Sequence, residues 1–299
     1  MTANTLVIGG GSRVAAALRR LYPGKYDFVR RAESPAALAT ADSDRAISSY
    51  EELTADDLAG YDTVISLVGT TSGTEEHLMA VNAELPRHFA KVSVRAGVSH
   101  FIALSSFSVF GTAAYIDSQT PLAPISDYGR SRLAGEQNIA AYGSELTCTI
   151  ARCPLLYGAG DSKLERLIKF WCRIGMMPAP KAAIRRSMVH YELAARYLDE
   201  AVEAMPAGPG VSFAHFADPV PFEYHMVAGI LSEASGKKRR LFTPPSVFFR
   251  LFAATAPGIS RSLYSESVLD DGCNHFDDLS YSRLEQDIAG MASANRSNI

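Results

Sequence analysis

Residues 5–21 read TLVIGGGSRVAAALRRL, and this stretch decides the fold. Residues 5–8 are β-branched and apolar, three glycines follow, and the alanine- and leucine-rich segment 13–21 has the composition of a helix. A strand that turns on glycine straight into a helix can hold the pyrophosphate of a dinucleotide. Glycine lets the backbone approach the phosphates, and the helix N-terminus offers them unpaired N–H groups. Gly9-Gly10-Gly11 alone is a weak signal that would also fit an ordinary tight turn; its place after a strand and before a helix supplies the required context.

Working outward, the chain alternates strands and helices. Residues 26–29 read as a second strand, and DTVISLV at 62–68 is the near-continuous apolar run expected of a strand covered on both faces. Residues 75–96 form one long helical segment, FIAL at 101–104 another buried strand, 128–142 a helix and LTCTIA at 146–151 a further strand. Such alternation predicts a Rossmann-like, doubly wound parallel α/β sheet. Composition shifts after Gly158. An amphipathic helix at 164–174, a strand at 185–189 entering a helix at 192–204, and a helix at 224–234 predict a smaller C-terminal α/β lobe. We therefore expect a dinucleotide-binding domain over 1–157, with about 184–218 returning to it, and a substrate lobe over 158–299.

Composition excludes several classes. A charged fraction of 20% beside 47% hydrophobic residues is that of a globular enzyme, not a disordered chain. A net charge of −3 gives no electrostatic reason to expect nucleic acid or an anionic membrane as partner. The basic runs at 237–240 and at Arg185-Arg186 read as solvated faces first. Cys148, Cys153, Cys172 and Cys273 are scattered without a CxxC or a histidine pair at metal spacing, so neither a metal site nor a disulfide framework is expected, and a reducing cytoplasm fits. No signal peptide is read at the start, and the apolar segment 241–259 is broken by Pro244, Pro245, Arg250 and Pro257, so no membrane insertion is expected.

The second strand runs into Val29-Arg30-Arg31. A carboxylate there would accept hydrogen bonds from the adenosine ribose, whereas arginine suits a 2′-phosphate, so NADP is favoured over NAD.

Three further segments carry a family resemblance. FIALSSFSVFG at 101–111, PLAPISDYGRSRLAGEQ at 121–137 and RCPLLYGAG at 152–160 are similar, in order and spacing, to LSSxxVYG, PxSxYGxSKxxGE and RPxxVYGPG. These are stretches of the extended short-chain dehydrogenase/reductases, especially the nucleotide-sugar 4-epimerase and 4-ketoreductase branch. With the glycine turn and Asn82 the resemblance spans about residues 5–200.

It implies Tyr128 as the acid/base, Ser106 as the residue bonding the reacting oxygen, with Ser105 and Ser108 as lesser substitutes, and Arg132 in the place of the family's lysine. A phenol, whose pKa is about 10 unperturbed, can exchange protons with a sugar hydroxyl when a cation stands beside it. Positions 128 and 132 share one helix face. The implied cofactor set is Gly9, Gly11, Ser12, Arg13 and Val14 at the turn, Arg30 and Arg31 at the ribose, Leu67, Val68 and Gly69 after the strand at 62–68, and Asn82, Tyr128, Arg132, Pro154 and Leu155 towards the nicotinamide. Implied substrate contacts are Ser106, Ser108 and one arginine of AIRRSMVHYELAAR at 183–196, Arg185 or, by preference, Arg186, where a guanidinium fork would fit a diphosphate. His190 reads first as packing. A homodimer through helices of the first domain is also implied.

The sequence departs from the pattern at five positions. Arg132 replaces lysine, Ser12 and Ala15 occupy the second and third glycine positions, Phe110 stands for tyrosine, and Cys153 stands for the first proline of RPP. The leading expectation is hydride transfer at C4 of a nucleotide sugar, with 4-ketoreductase favoured over 4-epimerase. Its alternatives are a catalytically weakened dinucleotide sensor and a reductase of another carbonyl compound.

Overall fold

The computed structural model describes residues 4–33, 44–158, 163–174, 176–179, 184–235, 240–243, 265–276 and 278–294. Lys237, Lys238 and Arg239 of the basic run, the helix-breaking positions of the segment 241–259, and Ala183 and Asp161 of the expected substrate segments lie outside them. The chain divides into two compact units: Met1–Gly111 with Pro121–Cys153 and Tyr191–Phe216, and Thr112–Thr120 with Pro154–His190 and Ala217–Ile299.

The first unit is built on a seven-stranded sheet. In chain order its elements are β1 (Thr5–Ile8), α1 (Arg13–Leu21), β2 (Asp27–Arg31), β3 (Arg45–Ile47), α2 (Ala55–Leu58), β4 (Thr63–Ser66), α3 (Glu75–Met79), α4 (Leu85–Ala96), β5 (His100–Ser106), α5 (Asp127–Ala140), β6 (Thr147–Cys153), α6 (Tyr191–Glu203) and β7 (Gly210–His215). The strand order is β7-β6-β5-β4-β1-β2-β3, and every pairing is parallel. Chain direction across the sheet reverses between β1 and β4, the position at which ligands of open α/β sheets bind, beyond the carboxyl ends of the strands.

The core of this unit follows from the apolar runs. Leu6, Ile8, Val64, Phe101 and Ile150 on the strands pack with Leu85, Phe89 and Ala90 of α4. Phe89 and Phe101 are fully buried, and burial of such side chains stabilises by roughly 1.5–3 kcal/mol each. α6 is tied to α1 and to the turn that follows it: Arg13 donates to the Tyr191 hydroxyl at 2.9 Å, Lys25 reaches Asp199 at 2.6 Å and Glu203 at 2.7 Å, and Arg20 pairs with Glu192.

Two features differ from the sequence expectation. The helix expected over 75–96 is not uniform, because a π turn, Ala80–Glu84, joins α3 to α4. Extra strands, β3 and β7, form the two edges of the sheet. β3 is three residues long and begins on Arg45, and β7 exposes Val211, Ser212 and Phe213 together, so neither shows the periodicity of a half-buried strand.

The second unit is made of short two-stranded pieces and helices. Leu155–Tyr157 pairs in parallel with Met188–His190, Arg185–Arg186 pairs antiparallel with Phe222–Glu223, and Tyr115–Ile116 pairs in parallel with Val268–Leu269. Trp171, Tyr157, Phe222, Tyr224, Leu231, Leu284 and Ile288 belong to its core. Asp218 organises the unit's polar interior, accepting from Tyr157 Oη, Val220 N, Ser282 Oγ and Arg283 N at 2.7–3.2 Å. Among the described residues, no helix is long and apolar enough to cross a membrane, and no cluster of His, Cys, Asp and Glu could hold a metal ion.

Candidate active site

The glycine turn joins β1 to α1 as a closed loop. Gly9 and Gly10 donate to the Val29 carbonyl at 3.0 and 2.8 Å, and Ser12 N–H returns to the Gly9 carbonyl at 3.0 Å. Gly9 has φ +99°, and a Cβ there would stand 3.0 Å from the Leu67 backbone, so glycine is required on both grounds. The turn therefore lies directly against residues 67–68, which follow β4. Ser12 does not obstruct it. Ser12 is the N-cap of α1, its hydroxyl accepting from Ala15 N at 3.1 Å. That leaves the N–H groups of Arg13 and Val14 at the start of the helix without intrahelical acceptors. Ala15 is fully buried beneath them.

Beside the turn, Arg19 holds the rim of β2. Its guanidinium donates to the Gly10 carbonyl at 2.9 Å, lies 3.8 Å from the Phe28 ring centroid and pairs with the buried Asp44 at 2.6 Å. Arg30 Nε is 3.8 Å from the same carboxylate, while Arg31 is exposed. Nothing in the sequence spacing ties Arg19 or Asp44 to this rim.

Ser106, Tyr128 and Arg132 come from two neighbouring elements. β5 ends on Ser106, whose Oγ accepts from Ser108 N at 3.2 Å and lies 3.2 Å from Ser108 Oγ. The turn that follows, Phe107–Phe110, closes on Gly111 at φ +66°, where a Cβ would stand 2.1 Å from the Ala123 carbonyl. Ser126 caps α5 by accepting from Gly129 N at 3.0 Å, which sets Tyr128 in the first turn. Gly129 then lets the serine turn approach the helix, since a Cβ there would lie 2.5 Å from the Ser108 carbonyl. One turn on, Arg132 Nε donates to the Tyr128 hydroxyl at 3.3 Å and Nη1 to the Leu104 carbonyl at 3.3 Å.

Two buried networks support these groups. Glu136, one helical turn beyond Arg132, is gripped by Arg152 of β6 through Nε at 3.0 Å and Nη2 at 2.7 Å, and it accepts from Ser105 Oγ. The Arg152 guanidinium lies between the rings of Phe110 and Phe213, at 5.2 and 4.4 Å. One ion pair thus joins β5, α5 and β6. The second network starts at Asn82, in the π turn. Its carboxamide accepts from Thr70 N at 2.9 Å and donates to Thr70 O at 2.9 Å and to Ser131 Oγ at 3.0 Å; Ser131 in turn donates to the Tyr128 carbonyl at 2.9 Å. Gly135 admits the π turn, as a Cβ there would stand 2.2 Å from the Asn82 carbonyl. Asn82 thus orders the loop after β4 and the tyrosine helix together.

The remaining titratable groups nearby are quiet. Burial pushes the Cys153 thiol up to about 12, against the Arg132 charge, and it donates to the Ser105 carbonyl at 3.4 Å. His215, packed on Phe107 and Phe110, is pulled down to about 4 by burial and by Arg152, and is neutral at pH 7.

Pro154 follows β6 and, with Leu155, begins a segment of the second unit. In that unit Arg186 donates from Nη1 to the Ser265 carbonyl at 2.6 Å, and burial lowers its pKa below the ordinary guanidinium value. Arg185 is exposed, 3.7 Å from Glu266. His190 stands edge-on to Tyr157 at 5.3 Å, with Nε2 3.6 Å from Asp287.

The sequence pattern indicated the serine, tyrosine and arginine but not what spaces them. Gly129 and Gly135 lay in plain view within the quoted string, and Glu136 sits at helical spacing from Arg132; close approach of backbones was the missing information.

A doubly wound parallel sheet, a glycine turn at its reversal point and a tyrosine–arginine pair beside a serine turn define a dinucleotide-binding oxidoreductase scaffold of the short-chain dehydrogenase type. The chain belongs to the NAD dependent epimerase/dehydratase family, whose model matches residues 6–175. Among solved structures it is similar to MoeE5 in complex with UDP-glucose and NAD, at 19% identity and TM-score 0.71, covering 99% of each chain. It also resembles UDP-N-acetylglucosamine 4-epimerase from Bacillus cereus, at 15% identity and TM-score 0.75, covering 98% of this chain and 100% of that one. A third is DesIV, a dTDP-glucose 4,6-dehydratase from Streptomyces venezuelae with NAD and TYD bound, at 18% identity and TM-score 0.72, covering 99% and 97%. At these identities the likeness shows the fold. No curated protein matches the chain.

Proposed function

We propose that this protein is an NAD(P)-dependent oxidoreductase that transfers hydride at C4 of a nucleotide sugar, as a 4-ketoreductase in preference to a 4-epimerase, with NADP in preference to NAD. The observation that carries the reading is the hydrogen bond between Arg132 Nε and the Tyr128 hydroxyl at 3.3 Å, on a helix that Gly129 brings against the Ser106–Ser108 turn.

The residues present fit a dinucleotide. Gly9 sets the turn against residues 67–68, Arg13 N and Val14 N open α1 towards the phosphates, and Gly69 follows β4 beside them. Gly11 and Ser12 complete the phosphate loop, and Leu67 and Val68 form its wall. At the ribose end, Asp44 is taken up by Arg19 and approached by Arg30, so that carboxylate is not available to ribose hydroxyls, while exposed Arg31 offers donors to a 2′-phosphate. In this reading Pro154 and Leu155 flank the nicotinamide and Asn82 orders its surroundings.

When bound, the cofactor supplies or accepts the hydride. The chain's own work is proton transfer and orientation. Ser106 and Ser108 donate hydrogen bonds to the sugar oxygen at C4, Tyr128 gives that oxygen its proton as a ketone becomes an alcohol, and Arg132 balances the charge left on the phenol. In the direction of oxidation the same proton returns to Tyr128. In this reading Arg186 is the residue that meets the nucleotide diphosphate, a guanidinium fork fitting phosphate oxygens. MoeE5 and DesIV, whose structures contain UDP-glucose and TYD, are the fold relatives that make a nucleotide sugar the substrate class of choice.

The test has two arms. The purified protein is assayed for retained nicotinamide cofactor, and for consumption of NADPH and NADH with UDP-4-keto sugars, alongside interconversion of UDP-glucose. Cofactor-free protein that consumes NADPH with the keto sugar supports the proposal. Tightly retained NAD with interconversion of UDP-glucose identifies the 4-epimerase, and binding without turnover of any sugar would leave a dinucleotide sensor.

A further inference from the structure

The Arg132 guanidinium is held on two sides by its hydrogen bonds to Tyr128 and Leu104, and on the third it faces Gly69. A Cβ built on Gly69 would lie 1.9 Å from Nη2, 2.7 Å from Cζ and 3.0 Å from Nη1, so the three nearest atoms all belong to Arg132. The backbone of Gly69 is not in the left-handed region that favours glycine. No requirement of turn geometry accounts for a glycine at 69; what opposes a side chain is the guanidinium.

We propose that Gly69 is a positioning residue for Arg132: its missing side chain is the seat of the guanidinium, so glycine at 69 and arginine at 132 form a coupled pair. The proposal rests on the reading of Arg132 as the charged partner of Tyr128. A guanidinium is planar, with its donors at fixed angles. Moving it away from a methyl group at 69 would strain its 3.3 Å bonds from Nε to the phenol and from Nη1 to the Leu104 carbonyl. The displacement is one of side-chain atoms only, so the fold survives it while the site does not. Lysine has no counterpart of Nη2, the atom in the hardest conflict, and its single ammonium on a flexible stem can share the space with a methyl group.

The test is a double-mutant cycle on the full chain: the natural protein, Gly69→Ala, Arg132→Lys and the double variant. Dissociation constants for NADPH and NADH are read from nicotinamide fluorescence, with melting temperatures alongside. We expect Gly69→Ala to weaken binding of the preferred cofactor tenfold or more in the natural background and less than threefold in the Arg132→Lys background, with melting temperatures little changed. An equal loss in both backgrounds would show that the methyl group obstructs the cofactor itself, and no loss in either would show a freely mobile guanidinium; both results overturn the proposal. A fall of melting temperature in both backgrounds, by more than about 5 °C, also overturns it by showing a backbone role. Failure of the underlying reading is visible separately, since Arg132→Met would then transfer hydride as fast as the natural protein does.

Discussion

Arg30 and Arg31, adjacent in sequence, are in different states at the end of β2. Arg30 is drawn towards the Asp44 carboxylate that Arg19 already holds, and Arg31 is exposed. The pair was legible as a basic dipeptide after a strand; its division of labour was not, because Asp44 and Arg19 reach it from elsewhere in the chain. Arg31→Ala should weaken NADPH binding about tenfold or more, the worth of a charge-assisted hydrogen bond, and leave NADH binding unchanged in the same titration. His100 gives a second expectation at this scale. It is fully buried, bonded to Thr149 Oγ1 at 2.8 Å, and burial lowers its pKa from 6.5 to about 4. The unfolded chain takes up this proton below about 6.5 and the folded chain only near 4, so its contribution to stability is intact above 6.5 and is lost as pH falls through that window. Denaturant unfolding should show a loss of about 2 kcal/mol between pH 6.5 and 5 from this residue. His100→Gln should remove that part of the acid sensitivity.

α5 was readable as a helix between two apolar strands and as a bearer of chemistry from Tyr128 and Arg132, but its placement depends on features without a sequence period. Gly129 and Gly135 are the points where the backbones of the serine turn and of the π turn come close, and the π turn itself arises where Asn82 satisfies both backbone groups of Thr70. Ser126→Ala should cost about 1 kcal/mol by removing the cap on α5, seen as a shift in the denaturation midpoint with unchanged slope. Glu136→Ala should cost more, about 3–5 kcal/mol, because it leaves Arg152 buried without its counter-charge. Double substitution of Glu136 and Arg152 by apolar residues should recover much of that loss. If Glu136→Ala costs no more than Ser126→Ala, the buried pair does not join β5, α5 and β6 as described.

Across the whole molecule, the parallel sheet was legible because its central strands are continuous apolar runs, covered on both faces. The edge strands β3 and β7 were not, since strands with exposed polar or mixed faces carry no such signal. The second unit was only partly legible because its strands are two or three residues long and depend on partners distant in sequence, as Tyr115–Ile116 does on Val268–Leu269. The function proposed for the molecule turns on one hydroxyl group. Single-turnover oxidation of bound NADPH by a UDP-4-keto sugar, followed for the natural protein and for Tyr128→Phe, tests it most directly. The account predicts that, at saturating NADPH, the variant transfers hydride more slowly by roughly 10²–10⁴, the usual contribution of a positioned acid/base group. A variant that oxidises NADPH as fast as the natural protein would contradict it.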